Sequence, residues 1–121
     1  MHTVGVDIIE IGRIHESIER FGERFLHRVF SEREILFCRG RVPELAARFA
    51  AKEAVMKALG TGVRGIGWRD IEILPMRGGK PLVYLSGRAR ARAEAMGLGE
   101  LAISLTHSDD FAIASVVGAL D

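Results

Sequence analysis

The segment RFAAKEAVMKALGTG (residues 48–62) constrains the fold more than any other part of the chain. It reads as the last turns of a long helix that Pro43 opens and Gly60 closes. Residues three and four apart stack on a helix, so Leu45, Phe49, Met56 and Leu59 share one face. That face needs a core to bury it. Lys52 points into the same sector, and Glu53 lies at its edge. Charged side chains rarely bury unpaired, because desolvation costs several kcal/mol or more. Either these two pair structurally, or they line a site that holds an ion.

The chain has 121 residues, of which 48% are apolar, and residues 1–121 are expected to form a single domain. Seventeen basic and 16 acidic residues leave a formal charge of +1, which argues against a dedicated nucleic-acid binder. Cys38 is the only cysteine, so an intrachain disulfide or a cysteine-based zinc site is excluded, and it is read as a half-buried spectator. No signal-peptide pattern and no apolar run of bilayer length is visible, so a cytoplasmic protein with no membrane partner is expected.

HTVGVDIIE (2–10) reads as a strand rich in β-branched residues. IGRIHESIERFGERF (11–25) has helical period, with Ile11, Ile14, Ile18, Phe21 and Phe25 on one face. In SEREILFC (31–38), Ser31 with Glu34 three residues on is a capping-box pattern. WRDIEILP (68–75) and KPLVYL (80–85) flank a glycine turn and predict a hairpin. Ser86 is placed to cap a helix over 87–97. ELAISLTHS (100–108) and DFAIASVVGAL (110–120) predict a closing antiparallel pair. Helices early and strands late predict an α+β fold, a small antiparallel sheet against the long central helix.

Asp7 interrupts a β-branched strand, where aspartate is disfavoured. Alone it reads as a strand-end cap, and Glu53 alone reads as the partner of Lys57 one turn later. Together, two carboxylates from separate elements with lysines nearby suit Mg²⁺, which takes one or two carboxylates and completes its shell with water and phosphate oxygens. His107 shares the inward face of Leu101, Ile103 and Leu105, and alone reads as a hydrogen-bonded core histidine. Arg48 alone reads as a surface arginine, and Lys80 as a solvated turn residue. No nucleophile elbow, cysteine–histidine signature, Walker loop or dinucleotide fingerprint is present. A covalent hydrolase is therefore disfavoured, and the nucleophile of any reaction would belong to a second substrate.

GVD at 5–7 and FAAKEAVMK at 49–57 resemble the two signature motifs of the holo-acyl-carrier-protein synthases, the short class of 4′-phosphopantetheinyl transferases. GVDIIEIGRI, RFAAKEAVMKALGTG, GGKP and SLTHS carry the resemblance over nearly the whole chain. It implies transfer of phosphopantetheine from coenzyme A to a serine of apo-acyl carrier protein, releasing adenosine 3′,5′-bisphosphate and serving fatty-acid or polyketide synthesis. It implies Asp7 and Glu53 as Mg²⁺ ligands, with Lys57 beside them as the third catalytic residue. It places His107 near the coenzyme's phosphates, Arg48 and Lys80 at the 3′-phosphate, and Gly79, Lys80 and Pro81 at the adenine edge. It also implies a homotrimer with the coenzyme cleft shared between subunits. By this reading the charges of the long helix lie at its apolar edge because a metal and a dianionic substrate dock there. The proton acceptor is left open between Glu53 and a metal-bound water.

Two other classes compete. A coenzyme-binding module needs the phosphate contacts but no carboxylate pair, and an interaction domain needs neither. The co-occurrence of Asp7, Glu53 and Lys57 favours an enzyme. In the first helix Arg13, Ser17, Arg20 and Arg24 form a stripe beside the apolar face. Exposed pairs such as Glu16–Arg20 contribute only about 0.3–0.5 kcal/mol each. Segregated arginines leave a basic edge suited to an acidic carrier, and the resemblance makes Arg13 a carrier contact.

Overall fold

A computed structural model describes residues 1–121. In chain order they form β1 (His2–Glu10), α1 (Ile11–Phe21), α2 (Glu23–Val29), α3 (Glu32–Cys38), α4 (Val42–Leu59), β2 (Ile71–Pro75), β3 (Pro81–Leu85), α5 (Gly87–Ala95), β4 (Leu98–His107) and β5 (Phe111–Leu120). A single 3₁₀ turn, Trp68–Asp70, precedes β2. The strands make two antiparallel sheets, one of order β1-β5-β4 and a β2-β3 hairpin. No helix is long and apolar enough to cross a membrane.

Local chemistry accounts for most boundaries. The Ser31 hydroxyl accepts from the Glu34 amide, and the Glu34 carboxylate accepts from the Ser31 amide, closing the expected capping box. Pro43 lies in the first turn of α4, and Gly60 ends it in the left-handed conformation at φ 74°. Gly78 and Gly79, both at positive φ, make the hairpin turn. Three expectations need correction. The helix over 11–25 is two helices, because Gly22 at φ 57° turns the chain between them. Phe21 consequently leaves the buried face and is half-exposed. Residues 68–70 form the 3₁₀ turn instead of opening the strand, and α5 stops at Ala95 with no side-chain cap from Ser86.

The central helix is buried nearly all round, which its charged residues disguise in the sequence. Twelve of its 18 residues are buried, six of them alanines with no bulk to hold neighbours away. Alanines 50, 54 and 58 belong to the flank that meets the three-stranded sheet, and there β1 comes closest. A Cβ built on Gly5 would lie 1.9 Å from the Ala54 carbonyl oxygen, so only glycine permits this approach. On the remaining sides the helix meets Phe30, Ile71 and Ile73, all fully buried. Each such side chain contributes about 1.5–3 kcal/mol on burial. Cys38 is fully buried, and burial pushes its thiol up to about 11, so it stays protonated at neutral pH.

The opposite face of the three-stranded sheet carries no helix. Val4, Val6 and Ile8 project from it, 69%, 59% and 58% exposed, with Val117 beside Val4 on β5. A monomer seldom leaves so continuous an apolar strip in water.

Candidate functional site

Side chains alternate along β1, so Thr3, Gly5, Asp7 and Ile9 share the face toward α4. The Thr3 hydroxyl marks that face, donating to the Ala58 carbonyl at 2.7 Å. Asp7 follows two residues after the Gly5 contact, and this brings its carboxyl to the flank of α4 that carries Glu53 and Lys57. Lys57 donates to Asp7 Oδ1 at 3.0 Å and to the Val6 carbonyl at 2.9 Å. Its partner is therefore Asp7, across the helix–strand contact, and not Glu53 one turn earlier on its own helix. The bland helix-surface pair is not made.

Glu53 and Asp7 line one cleft of about 520 Å³ between β1, α1 and α4, with Arg13, Ser17, Phe49 and Phe111. Burial raises the Glu53 pKa, and the Asp7 carboxylate pushes the same way, against smaller opposing effects of Lys57 and Arg13. Two carboxylates from separate elements, in a cleft open to solvent, are the donor set expected of a hard divalent cation with free positions. The residues fit Mg²⁺ held by Asp7 and Glu53.

Arg48, Pro81 and His107 line a second, smaller cleft with Phe37, Glu44 and Gly79. Arg48 is no surface arginine; it is 3% exposed. Its Nε donates to the Ile73 carbonyl at 3.1 Å and its Nη1 to Glu44 Oε2 at 3.1 Å, while the guanidinium lies 4.5 Å from the Phe37 ring centre. His107 is no core histidine either. It ends β4, exposed, with Nδ1 3.3 Å from the Ser108 carbonyl oxygen. Lys80 is not brought to this cleft and lies instead along grooves bordered by β3, β4 and the outer face of the sheet. Glu44 was legible as the residue four before Arg48 on a helix. Nothing in the sequence around Phe37 marked it as a cleft wall.

Lys52 does not reach either cleft. It is fully buried, 2.8 Å from Glu34 of α3. The question raised by the long helix thus has two answers: Lys52 pairs structurally, and Glu53 faces the site.

At 100° per residue, Phe49 and Glu53 point to one side of α4, and Glu44, Ala47 and Arg48 to the other. The two clefts share no lining residue. They are separate sites on one chain.

The model of the 4′-phosphopantetheinyl transferase superfamily matches residues 3–116. The chain is 50% identical over 125 residues to the holo-acyl-carrier-protein synthase of Herpetosiphon aurantiacus, covering 98% of both. It is 50% identical over 117 residues to that of Moorella thermoacetica, covering 94% of this chain and 91% of the relative. Among solved structures, the Helicobacter pylori holo-acyl-carrier-protein synthase in complex with coenzyme A matches with a TM-score of 0.88 and 35% identity, over 96% of this chain and 99% of that one.

Proposed function

Because the chain belongs to the holo-acyl-carrier-protein synthases of the 4′-phosphopantetheinyl transferase superfamily, we propose that it moves phosphopantetheine from coenzyme A to a serine of apo-acyl carrier protein. The observation that carries this reading is the meeting of Asp7 and Glu53 in one cleft, with Lys57 paired to Asp7 beside it. Transfer forms a bond from the serine oxygen to the phosphorus bearing pantetheine and breaks that phosphorus's bond to the bridging oxygen. Adenosine 3′,5′-bisphosphate leaves.

Such a reaction asks the protein for positioning and charge neutralisation more than for covalent chemistry. Mg²⁺ held by Asp7 and Glu53 would supply Lewis-acid stabilisation of the pyrophosphate oxygens. Lys57, already oriented by Asp7 and the Val6 carbonyl, adds a fixed cation at the same place. Glu53, or a water on the metal it would hold, is positioned to accept the serine proton. Arg13 lines this cleft, and Arg20 lies over the exposed Phe21 ring at 5.4 Å, so α1 presents a basic edge to an acidic carrier. His107, Arg48 and Pro81 hold the coenzyme's nucleotide end in the second cleft, and Lys80 is not part of it within one chain.

Mass spectrometry of apo-acyl carrier protein after incubation with this protein, coenzyme A and Mg²⁺ tests the reaction. The expected result is a gain equal to one phosphopantetheine, lost on chelation. An unchanged carrier mass overturns the reading.

The two clefts support a shared-site assembly. One coenzyme cannot lie in both on a single chain, because α4 and its sheet contact separate them. A homotrimer that buries the strip of Val4, Val6 and Ile8 would bring the metal cleft of one copy to the nucleotide cleft of the next. Val4→Glu is expected to sediment as a monomer and to lose activity, as is the wild-type protein diluted below its association constant. A fully active monomer would rule out the shared site.

A further inference from the structure

The buried Glu34–Lys52 pair has no part in the reaction just described, yet it joins three elements that wall the nucleotide cleft. Both side chains are fully buried. Lys52 Nζ donates to Glu34 Oε1 at 2.8 Å, to the Trp68 carbonyl at 3.0 Å and to the Ile71 carbonyl. Glu34 Oε1 also accepts from the Ser31 amide at 2.9 Å, and Oε2 accepts from the Ile73 amide at 2.9 Å. No buried side-chain polar atom is left without a partner. One ion pair therefore ties the start of α3, the middle of α4 and the start of β2 together.

Each of those elements delivers part of the cleft. The far end of α3 carries Phe37, α4 carries Glu44 and Arg48, and the β2-β3 hairpin carries Gly79 and Pro81. The tie is also close to Arg48 along β2, since Ile73 gives its amide to Glu34 and its carbonyl to Arg48. A fully satisfied buried ion pair is weak evidence of net stability, because apolar residues of like volume often serve as well. It does fix geometry, since several directed bonds hold only one arrangement.

We propose that Glu34 and Lys52 are positioning residues for the nucleotide end of coenzyme A, acting through Phe37, Arg48 and the hairpin. The inference rests on the proposed function. Neither side chain lines the metal cleft, where Asp7 is set against α4 through the Gly5–Ala54 contact.

The test is calorimetric binding of adenosine 3′,5′-bisphosphate to the assembled protein, with Mn²⁺ binding and turnover measured alongside. Failure of the wild type to bind the nucleotide would refute the proposed function itself. In Glu34→Gln/Lys52→Met the Trp68 and Ile71 carbonyls lose their donor, and the hairpin is free to shift. A misplacement of about 1 Å is enough for large losses, so the Kd of the folded variant should rise at least about tenfold. The KM for coenzyme A should rise in step, while kcat at saturation and Mn²⁺ affinity stay unchanged. A pair that only stabilised the fold would lower the melting midpoint and leave Kd as it was, and that result overturns the proposal. Should the double variant not fold, Lys52→Arg decides. It keeps the charge opposite Glu34 but spreads it over a wider group. A Kd raised about threefold or more supports positioning, and an unchanged Kd refutes it.

Discussion

Glu53→Gln is expected to lower turnover by about 10³-fold or more, because it removes a proposed metal ligand and with it the proposed route for the serine proton. Asp7→Asn should approach the same loss, since it removes the other ligand and the anion that orients Lys57. Neither change opens a cavity, so circular dichroism and sedimentation should stay as in the wild type. Stability adds a sign that a generally damaged protein would not show. The folded pKa of Glu53 is raised by burial and by Asp7. Between the ordinary glutamate pKa and this raised value the native state holds more protons than the unfolded one. Without metal, stability therefore falls as pH rises through that window, and the ionised group is a net cost above it. Glu53→Gln removes the cost. With a chelator present, its melting midpoint at neutral pH should equal or exceed that of the wild type, and the fall across the window should be absent. Near-normal turnover in Glu53→Gln would remove the proposed metal site.

The second large effect is expected from a single methyl group. Gly5→Ala places a Cβ 1.9 Å from the Ala54 carbonyl oxygen, and the nearest atoms, Ala54 C and Ala58 N, are also backbone. No side chain can rotate away, so β1 or α4 must move. Overpacking of this kind costs about 3 kcal/mol or more when backbone has to yield. In a chain of this size that corresponds to a midpoint lowered by roughly 10 °C. The same displacement separates Asp7 from Glu53 and Lys57, and a shift of about 1 Å costs on the order of 10²-fold in rate. Calorimetry and turnover on the same preparation check both effects. A midpoint within a degree or two of the wild type, with normal turnover, would mean that β1 and α4 are not in contact as described.

Gly5 also shows why half of a motif is hard to read. A glycine two residues before an aspartate is common, and by itself it says nothing about function. In the fold it is the point of closest approach between the two elements that supply the proposed metal ligands. The helix half of the motif was more legible, because Glu53 and Lys57 sit one turn apart whatever surrounds them. Even so, that spacing suggested a pair between the two, whereas Lys57 finds Asp7, 50 residues away along the chain.

Local physics settled much of the chain in advance. The β-branched run over 2–10, the Ser31–Glu34 capping box, the stop at Gly60 and the glycine hairpin turn all depend on neighbours within four residues, and each stands where the sequence places it. The pair of carboxylates proposed to hold the metal was legible too, as Asp7 and Glu53 where an apolar strand and an apolar helix face should have none. Tertiary structure decided the rest. It made Lys52 a buried partner of Glu34, drew Arg48 under Phe37, left His107 exposed, sent Lys80 to another groove and put two clefts on opposite sides of α4. The reason is common to all five. A charge's partner and its exposure depend on which distant segments come within a few ångströms, and desolvation makes that encounter worth several kcal/mol, while the sequence spacing of the same residues is indifferent to it.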